Sequence, residues 1–299
     1  MELTQQVVEE WIRSIGKGHF STRDAWDEID IGSPEGRAHL RVILGRCIEK
    51  KLISKSASNG HYRILDLNKD VMEWETANMK NVLPIILPFG IHKWAKLYPK
   101  SIIVVAGEKN SGKSAFLYEC IKLNYASFVT ELYNSETGPE QMKERFEPLE
   151  FPSPAPFTVY ERYTNFSDVV EPDNLTIIDY LDYNSEVYHC AEEIDLIFQK
   201  LKAGACIIGM QKPPPTPTKQ RDGSVKMVSR DLAYGGAFTA KRSHLYITLG
   251  QGICKLVHVK NPASKGVNPA NKQWSYRFDD SGYFCDIKDY TATTPDEYR

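Results

Sequence analysis

The sequence has no strong excess of charge and no long apolar run. Its 37 lysine and arginine residues against 39 aspartate and glutamate residues give a formal net charge of -2. This balance argues against a wholly basic nucleic-acid coat but not against local basic patches. No signal-like sequence follows Met1, and no apolar stretch approaches the length that spans a bilayer. We therefore expect a soluble, cytoplasmic chain without membrane contact.

Cysteine is sparse, and internal repeats and long low-complexity segments are missing. The six cysteines form no Cys-x-x-Cys motif, and several lie in apolar runs such as residues 205–208. This usage predicts buried, reduced thiols. With 299 residues, 41% of them hydrophobic, the chain is long enough for one large domain or two of unequal size.

The most informative motif is residues 107–114, which match Gly-x4-Gly-Lys-Ser/Thr directly behind the apolar run 102–106. This arrangement is a P-loop, in which backbone N–H groups surround phosphate oxygens. Lys113 would neutralise the β- and γ-phosphates, and the Ser114 hydroxyl would ligate Mg²⁺. The cofactors predicted are therefore ATP and Mg²⁺. The predicted nucleotide-binding residues are Gly107, Glu108, Lys109, Asn110, Ser111, Gly112, Lys113, Ser114 and Ala115.

Residues 1–66 predict three helices followed by a hairpin. An apolar stripe at helical spacing marks the first helix, and Ser21 is a cap for the second. Ser33 and Pro34 begin the third, where a cap and a first-turn proline are favoured. Two short apolar segments flank the turn at residues 58–60. This order resembles a winged helix-turn-helix domain.

Positive charge is concentrated in the second half of this domain. Residues 37–63 hold seven lysines and arginines against one glutamate, whereas residues 1–36 hold three against eight acidic residues. A third helix and wing that bind duplex DNA need this placement, because phosphate contacts supply most non-specific affinity. The alternative is a solvated helix face in a domain that contacts protein. The predicted DNA-contacting residues are Arg37, Arg41, Arg46, Lys50, Lys55 and Arg63.

Residues 67–98 are predicted to be a linker, with a short acidic helix near residues 70–74 and prolines that punctuate its second half. From residue 99 to 299 apolar runs alternate with helical patterns, which implies parallel strands joined by crossover helices. Later segments, beginning at Ser243, alternate like antiparallel strands added at the sheet edge. The predicted fold class is α/β, with a mostly parallel sheet behind a small winged-helix domain.

A second nucleotide motif lies at residues 175–179, an apolar strand that ends in Asp179. Its carboxylate is suited to the Mg²⁺ water shell. Tyr180 follows, so the acidic pair typical of AAA+ proteins is missing and a base for the attacking water must come from elsewhere. Glu136 is the candidate, since it ends the strand after the P-loop helix, beside the γ-phosphate position.

Taken in order, these motifs resemble a RecA-like ATPase, in the branch that contains the DnaB-type replicative helicases. The resemblance covers roughly residues 85–280 and adds the segment 207–211, which ends in Gln211. It implies that Glu136 activates water, that Asp179 acts through Mg²⁺ and that Gln211 senses the γ-phosphate. It also implies a homo-oligomer, either a hexameric ring or a filament, whose site is completed across a subunit boundary.

Two departures from that family stand out. The helical primase-binding domain of the replicative helicases is replaced by the predicted winged helix. The family also uses a Lys-x-Arg pair from the neighbouring subunit; here Lys260 matches the lysine, but Pro262 stands where the arginine belongs. Lys260 is therefore a candidate catalytic residue, and Arg242 is a conceivable substitute for the missing arginine.

Residues 212–231 carry five basic residues against two acidic ones, and prolines at the start predict an irregular loop. In RecA-like proteins the corresponding loop contacts single-stranded DNA in the central channel. A surface insertion without function is the alternative. The predicted contacts to single-stranded DNA are Lys219, Arg221, Lys226 and Arg230.

These patterns predict an ATP-dependent DNA-binding ATPase, a helicase-like motor or loader in DNA replication or recombination. A nucleotide-switched DNA-binding or assembly protein with little turnover is the alternative. A P-loop kinase would need an acceptor pocket, which the sequence does not indicate.

Overall fold

The computed structural model describes residues 3–69, 71–182, 187–220, 223–250 and 252–290. The chain divides into two compact units, Met1–Ala77 and Asn78–Arg299. The domain boundaries at residues 66 and 98 stay predictions. Within the described ranges no helix combines the length and apolar character that a bilayer span requires.

The first unit contains three helices and a three-stranded antiparallel sheet. Its elements are α1 Gln5–Ile15, β1 His19–Ser21, α2 Thr22–Glu28, α3 Pro34–Glu49, β2 Ile53–Lys55 and β3 His61–Ile64. Strand β3 lies between β1 and β2. The three helices and the β2–β3 hairpin match the predicted order of elements, and β1 adds a strand. The winged-helix assignment stays a prediction.

The predicted caps begin the second and third helices. The Ser21 hydroxyl accepts a hydrogen bond from the Asp24 backbone N–H at 3.2 Å, and the Asp24 carboxylate accepts one from the Ser21 N–H at 2.7 Å. This reciprocal capping box satisfies two N–H groups that the helix itself cannot. The Ser33 hydroxyl likewise accepts from the Gly36 N–H at 3.0 Å. Local sequence therefore fixes where α3, the most basic helix of this unit, begins.

The second unit is an α/β structure built on a nine-stranded sheet. Its elements are β4 Ser101–Gly107, α4 Lys113–Asn124, β5 Thr130–Asn134, α5 Pro139–Phe146, β6 Thr158–Glu161, β7 Leu175–Leu181, α6 Val187–Lys200, β8 Ala205–Gln211, β9 Thr216–Lys219, β10 Val225–Val228, α7 Ala237–Ala240, β11 Leu245–Gly250, β12 Ile253–Val259, β13 Gln273–Phe278 and β14 Phe284–Tyr290. The sheet order is β14-β13-β12-β11-β4-β8-β7-β5-β6. Strands β11, β4, β8, β7, β5 and β6 run parallel, which confirms the mostly parallel sheet.

The strand before the P-loop is buried along its whole length because both sheet faces are covered. Ile103 and Val105 pack with α4, whereas Ile102 and Val104 pack with α6 on the opposite face. Alternation with a period of two explains this division, and it explains the continuous apolar run. The P-loop therefore begins from the centre of the sheet, between two packed layers.

Several expectations from the sequence are corrected. Residues 71–82 contain no helix, although the acidic pattern suggested one; Asp70 lies outside the described residues. Strand β11 was grouped with the antiparallel edge, but it pairs parallel to β4 and antiparallel to β12. Part of the loop 212–231 is regular, because β9 and β10 form an antiparallel hairpin. Five cysteines are buried as predicted, and Cys285 is partly exposed.

Candidate functional site

The P-loop joins the end of β4 to the start of α4, and its backbone is shaped by residues with positive φ. Gly112 has φ +84° and Asn110 has φ +61°. No side chain caps the amino terminus of α4. The first N–H groups of the helix, with the positive end of its dipole, are thus available to a phosphate.

The hairpin β13–β14 packs against the P-loop. The Tyr276 hydroxyl donates to the Ser111 carbonyl at 2.7 Å. A Cβ on Gly112 would lie 2.6 Å from Phe278 and 2.9 Å from Phe284, so any larger residue would displace the aromatic rings. Gly112 is therefore required twice, by its left-handed backbone and by this contact.

Lys113 lies at the centre of a charged cluster. Its ammonium is 2.8 Å from the Asp179 carboxylate and 3.9 Å from that of Glu136, and it lies 4.2 Å above the Tyr180 ring. Lys113 and Asp179 are almost fully buried, whereas the Glu136 side chain is 42% exposed. The three ionisable groups that the sequence predicted to act together are brought together by the fold.

Two polar residues at the end of β5 place Glu136 beside Asp179. The Ser135 hydroxyl donates to the Tyr180 carbonyl at 2.9 Å and accepts from the Tyr180 N–H at 3.1 Å. The Asn134 side chain accepts hydrogen bonds from the N–H groups of Glu136 and Thr137, each at 3.3 Å. This local turn fixes the backbone that carries Glu136. Sequence reasoning identified Glu136 but not these supporting residues.

The residues present fit a magnesium ion. One oxygen of Asp179, Oδ2, is buried and makes no hydrogen bond within the described part of the chain, which leaves a ligand position unsatisfied. The Ser114 hydroxyl lies 3.5 Å from Glu136, on the same side of the cluster. Hard oxygen ligands of this kind suit Mg²⁺ that also binds phosphate oxygens. Ser114 and Asp179 are therefore the residues that would hold the ion.

The other two predicted catalytic residues lie at opposite ends of the sheet. Gln211 ends β8, is paired in register with Gly107 and lines the P-loop pocket. Lys260 follows β12 and is exposed; its N–H donates to the His244 carbonyl, beside the start of β11. The P-loop follows the carboxyl ends of the parallel strands, whereas Lys260 lies beside their amino-terminal ends. Arg242, the conceivable substitute, is paired with Asp195.

A pocket of about 470 Å³ opens beside the P-loop. Besides P-loop residues, it is lined by Tyr118 and Arg145, by Phe278 at the end of β13 and by Ser281 and Tyr283 from the turn that follows. Burial, together with the nearby Asp179 carboxylate, raises the pKa of Tyr118, so its hydroxyl stays neutral. The sequence analysis did not identify this side of the pocket, because its residues come from three distant segments and form no motif. The only local signal is the turn sequence 279–282.

The predicted DNA-contacting residues of the first unit are all exposed. Leu40, Ile43, Leu44 and Cys47 bury one side of α3, so Arg41, Val42 and Arg46 lie on its solvent side. Lys50 is engaged elsewhere, because its ammonium binds the Glu9 carboxylate at 2.7 Å and lowers the Glu9 pKa. Arg37 lies over the Trp26 ring at 4.7 Å. Lys55 and Arg63 belong to β2 and β3.

The predicted contacts to single-stranded DNA lie on and beside the β9–β10 hairpin, apart from Arg221, which lies outside the described residues. Lys219 ends β9 and Lys226 lies on β10; both strands are exposed along their length. Lys226 pairs with Thr218, so the two lysines project from opposite faces of the hairpin. Arg230, also exposed, follows β10.

Solved structures with low sequence identity are similar to this chain. No protein-family model and no curated protein matches the sequence. The chain is similar to the RadB recombinase, with 13% identity, TM-score 0.41 and coverage of 64% of this chain and 92% of that one. A DnaB-like replicative helicase gives 10% identity, TM-score 0.46 and coverage of 70% and 64%. The ATPase domain of a third protein gives 11% identity, TM-score 0.42 and coverage of 64% and 86%.

Proposed function

We propose that this protein is a RecA-like ATPase whose hydrolysis of ATP is coupled to DNA, as a motor or loader in replication or recombination. The observation that carries the proposal is the cluster of Lys113, Asp179 and Glu136 at the P-loop, in which a buried ion pair lies beside a water-accessible carboxylate. A nucleotide switch without turnover needs only the P-loop, whereas a hydrolase also needs a base at this position.

The chain's own residues support in-line attack of water on the γ-phosphate. The Lys113 ammonium would move from Asp179 to the phosphate oxygens, and Glu136, which water can reach, would orient the attacking water and accept its proton. Mg²⁺, when bound, neutralises charge on the β- and γ-phosphate oxygens. Gln211, paired in register with Gly107, lines the same pocket, which supports its proposed contact with the γ-phosphate.

DNA contact and assembly are the wider parts of the proposal. The helices, the antiparallel sheet and the exposed arginines of the first unit support a winged helix that binds duplex DNA. The basic hairpin β9–β10 supports contact with single strands.

Lys260 lies at the opposite end of the parallel strands from the P-loop, so it would reach a nucleotide only across a subunit boundary. We propose a ring or filament; sedimentation with and without ATPγS measures the subunit number.

Steady-state hydrolysis of ATP tests the proposal. We expect turnover that single-stranded DNA stimulates by about tenfold or more, and that duplex DNA stimulates less, because single strands contact the hairpin. Lys113→Ala, which removes the phosphate contact, is the control for contaminating ATPases.

The same assay separates the alternative function. Bound ATP without turnover, whether DNA is absent, single-stranded or duplex, would favour a nucleotide-switched DNA-binding or assembly protein. An absence of ATP binding in the wild-type protein would contradict both interpretations of the P-loop.

Charge reversal on α3 tests duplex binding. We expect Arg41→Glu with Arg46→Glu to weaken duplex binding by about tenfold or more and to reduce the log–log salt slope by about two, because two phosphate contacts are lost. Fluorescence anisotropy at several salt concentrations measures both. Arg13→Glu with Arg23→Glu is the matched control, since both arginines are exposed, lie on α1 and α2 and make only long ion pairs of 3.7 and 3.8 Å. Equal binding by both double variants would make α3 a protein-contact surface instead.

A further inference from the structure

The geometry points to a mechanical link between the P-loop and the basic hairpin. We propose that Glu108 and Lys212 are positioning residues that fix the base of the β9–β10 hairpin to the P-loop, so that nucleotide binding changes the position of the hairpin. This inference rests on the proposed nucleotide site. It assigns a role to Glu108, which the P-loop pattern leaves variable, and to Lys212, which the sequence only placed at the start of a loop.

Glu108 is the second residue of the P-loop, and its carboxylate contacts both ends of the hairpin segment. The Ser229 hydroxyl, just after β10, donates to Glu108 Oε1. Lys212, just before the hairpin, has its ammonium 3.6 Å from the same oxygen. The chain therefore leaves for the hairpin at Lys212 and returns from it at Ser229, both beside the Glu108 side chain.

Neighbouring strands hold this polar group in place. Lys212 Nζ donates to Thr248 Oγ1 at 2.9 Å, and its backbone N–H donates to the Gly107 carbonyl at 2.8 Å. A Cβ on Gly250 would lie 2.8 Å from Glu108 Oε1 and 3.2 Å from Lys212 Nζ, so the close approach depends on a glycine there. Further along the returning chain, Asp231 accepts from Lys255 of β12 at 2.7 Å.

Burial makes Lys212 depend on its contact with Glu108. The Lys212 side chain is 3% exposed and that of Glu108 is 13% exposed. A buried ammonium needs a charged or polar partner, because an unpaired one loses its hydration without compensation. Burial also lowers the Lys212 pKa, while Glu108 and Asp231 oppose that change. Lys212 and Glu108 are thus expected to move as one unit.

This arrangement transmits a change in the P-loop to the hairpin. Glu108 lines the P-loop pocket, so a bound polyphosphate brings negative charge close to its carboxylate and repels it. A shift of the Glu108 carboxylate relocates the two attachment points of the hairpin together. Lys219 and Lys226 lie on the strands of that hairpin, nearer its turn than the end that is attached through Lys212 and Ser229.

Limited trypsin digestion tests the link, since cleavage after Lys219 and Lys226 reports on the hairpin. We expect Mg-ATPγS to change the cleavage rate of the wild-type protein by about threefold or more, because cleavage follows the accessible population. In Lys212→Met, Glu108→Gln and Ser229→Ala this nucleotide effect should disappear. In Lys212→Met and Ser229→Ala, which lie outside the P-loop, binding of a fluorescent ATP analogue should stay within about threefold of wild type, a difference below 1 kcal/mol. Glu108→Gln, itself a P-loop variant, is compared at analogue concentrations that saturate it. Glu108→Gln and Ser229→Ala are nearly isosteric and guard against misfolding of Lys212→Met.

Lys272→Met is the matched control, because Lys272 is partly buried and paired with Asp289 away from the P-loop; it should retain the nucleotide effect. Nucleotide-dependent cleavage that persists in Glu108→Gln and Ser229→Ala would overturn the inference. So would a wild-type protein that binds the analogue without any change in cleavage, and the proposed function would then stand. A wild-type protein that fails to bind the analogue would overturn both.

Discussion

Replacing Lys113 with alanine is expected to remove ATP turnover and to weaken ATP binding by about 100-fold, since charge-assisted hydrogen bonds to phosphate contribute about 1.5–3 kcal/mol each. The same variant should lose stability without any nucleotide. Lys113 is the partner of Asp179 at 2.8 Å, and Asp179 is fully buried. Removing one member of a buried ion pair costs about 3–5 kcal/mol of unfolding free energy, because the remaining charge is uncompensated.

A double variant separates the two effects. Lys113→Ala with Asp179→Asn removes the buried negative charge and should recover most of the lost stability, while ATP binding stays weak. Urea unfolding and a fluorescent ATP analogue measure the two quantities. Lys122→Ala, at the other end of α4, is the control for loss of a lysine from this helix; Lys122 contacts the Glu150 carbonyl at 3.0 Å. ATP affinity near that of wild type in Lys113→Ala would exclude the P-loop from nucleotide binding.

The parts of the molecule that sequence could predict are those set by local chemistry. The P-loop follows a buried strand, and the run 102–106 has the continuous apolar character that burial on both faces demands. Helix starts at Ser21 and Ser33 depend on side chains within three residues. Glu136 and Asp179 were identified because parallel strands place their carboxyl ends at one sheet edge.

The missed parts depend on pairing between distant segments. Strand β14 lies next to β13, and their hairpin places Phe278 and Tyr283 beside the P-loop pocket. No periodicity in residues 276–290 encodes that contact. Pro217 suggested an irregular loop, yet it pairs with Met227 in a two-stranded sheet. Both strands of such a sheet are edges, where the missing N–H of proline costs little.

The helix expected near residues 70–74 failed for a related reason. Its acidic and apolar residues fit a helical pattern, but Met72 and Trp74 are largely exposed. Short helices gain most of their stability from packing an apolar face, and a segment of this length is marginal without it. The pattern was therefore present while the packing that stabilises it was not.

Replacing Glu136 with glutamine is expected to reduce ATP hydrolysis by about 10²–10⁴-fold, the usual contribution of a general base. Glutamine keeps the length of the side chain and can still hydrogen-bond water, but it cannot accept the proton. Asn134 holds the backbone N–H of residue 136, so the turn should survive the substitution. ATP binding should change by less than about threefold, because Lys113 and Asp179 are unaltered.

This combination of intact binding and lost cleavage distinguishes a base from a structural carboxylate. If Glu136 acted only by holding Lys113, at 3.9 Å, its loss would weaken ATP binding together with hydrolysis. Single-turnover hydrolysis of bound ATP measures the rate of cleavage, and equilibrium binding of a fluorescent analogue measures the affinity. Glu140→Gln, an exposed glutamate in the first turn of α5, is the matched control and should hydrolyse ATP at the wild-type rate. Turnover by Glu136→Gln within about threefold of wild type would place the base elsewhere, because the loss of the general base must slow hydrolysis.

Single-stranded DNA should fail to restore hydrolysis in Glu136→Gln, since DNA cannot supply the proton acceptor that the variant lacks.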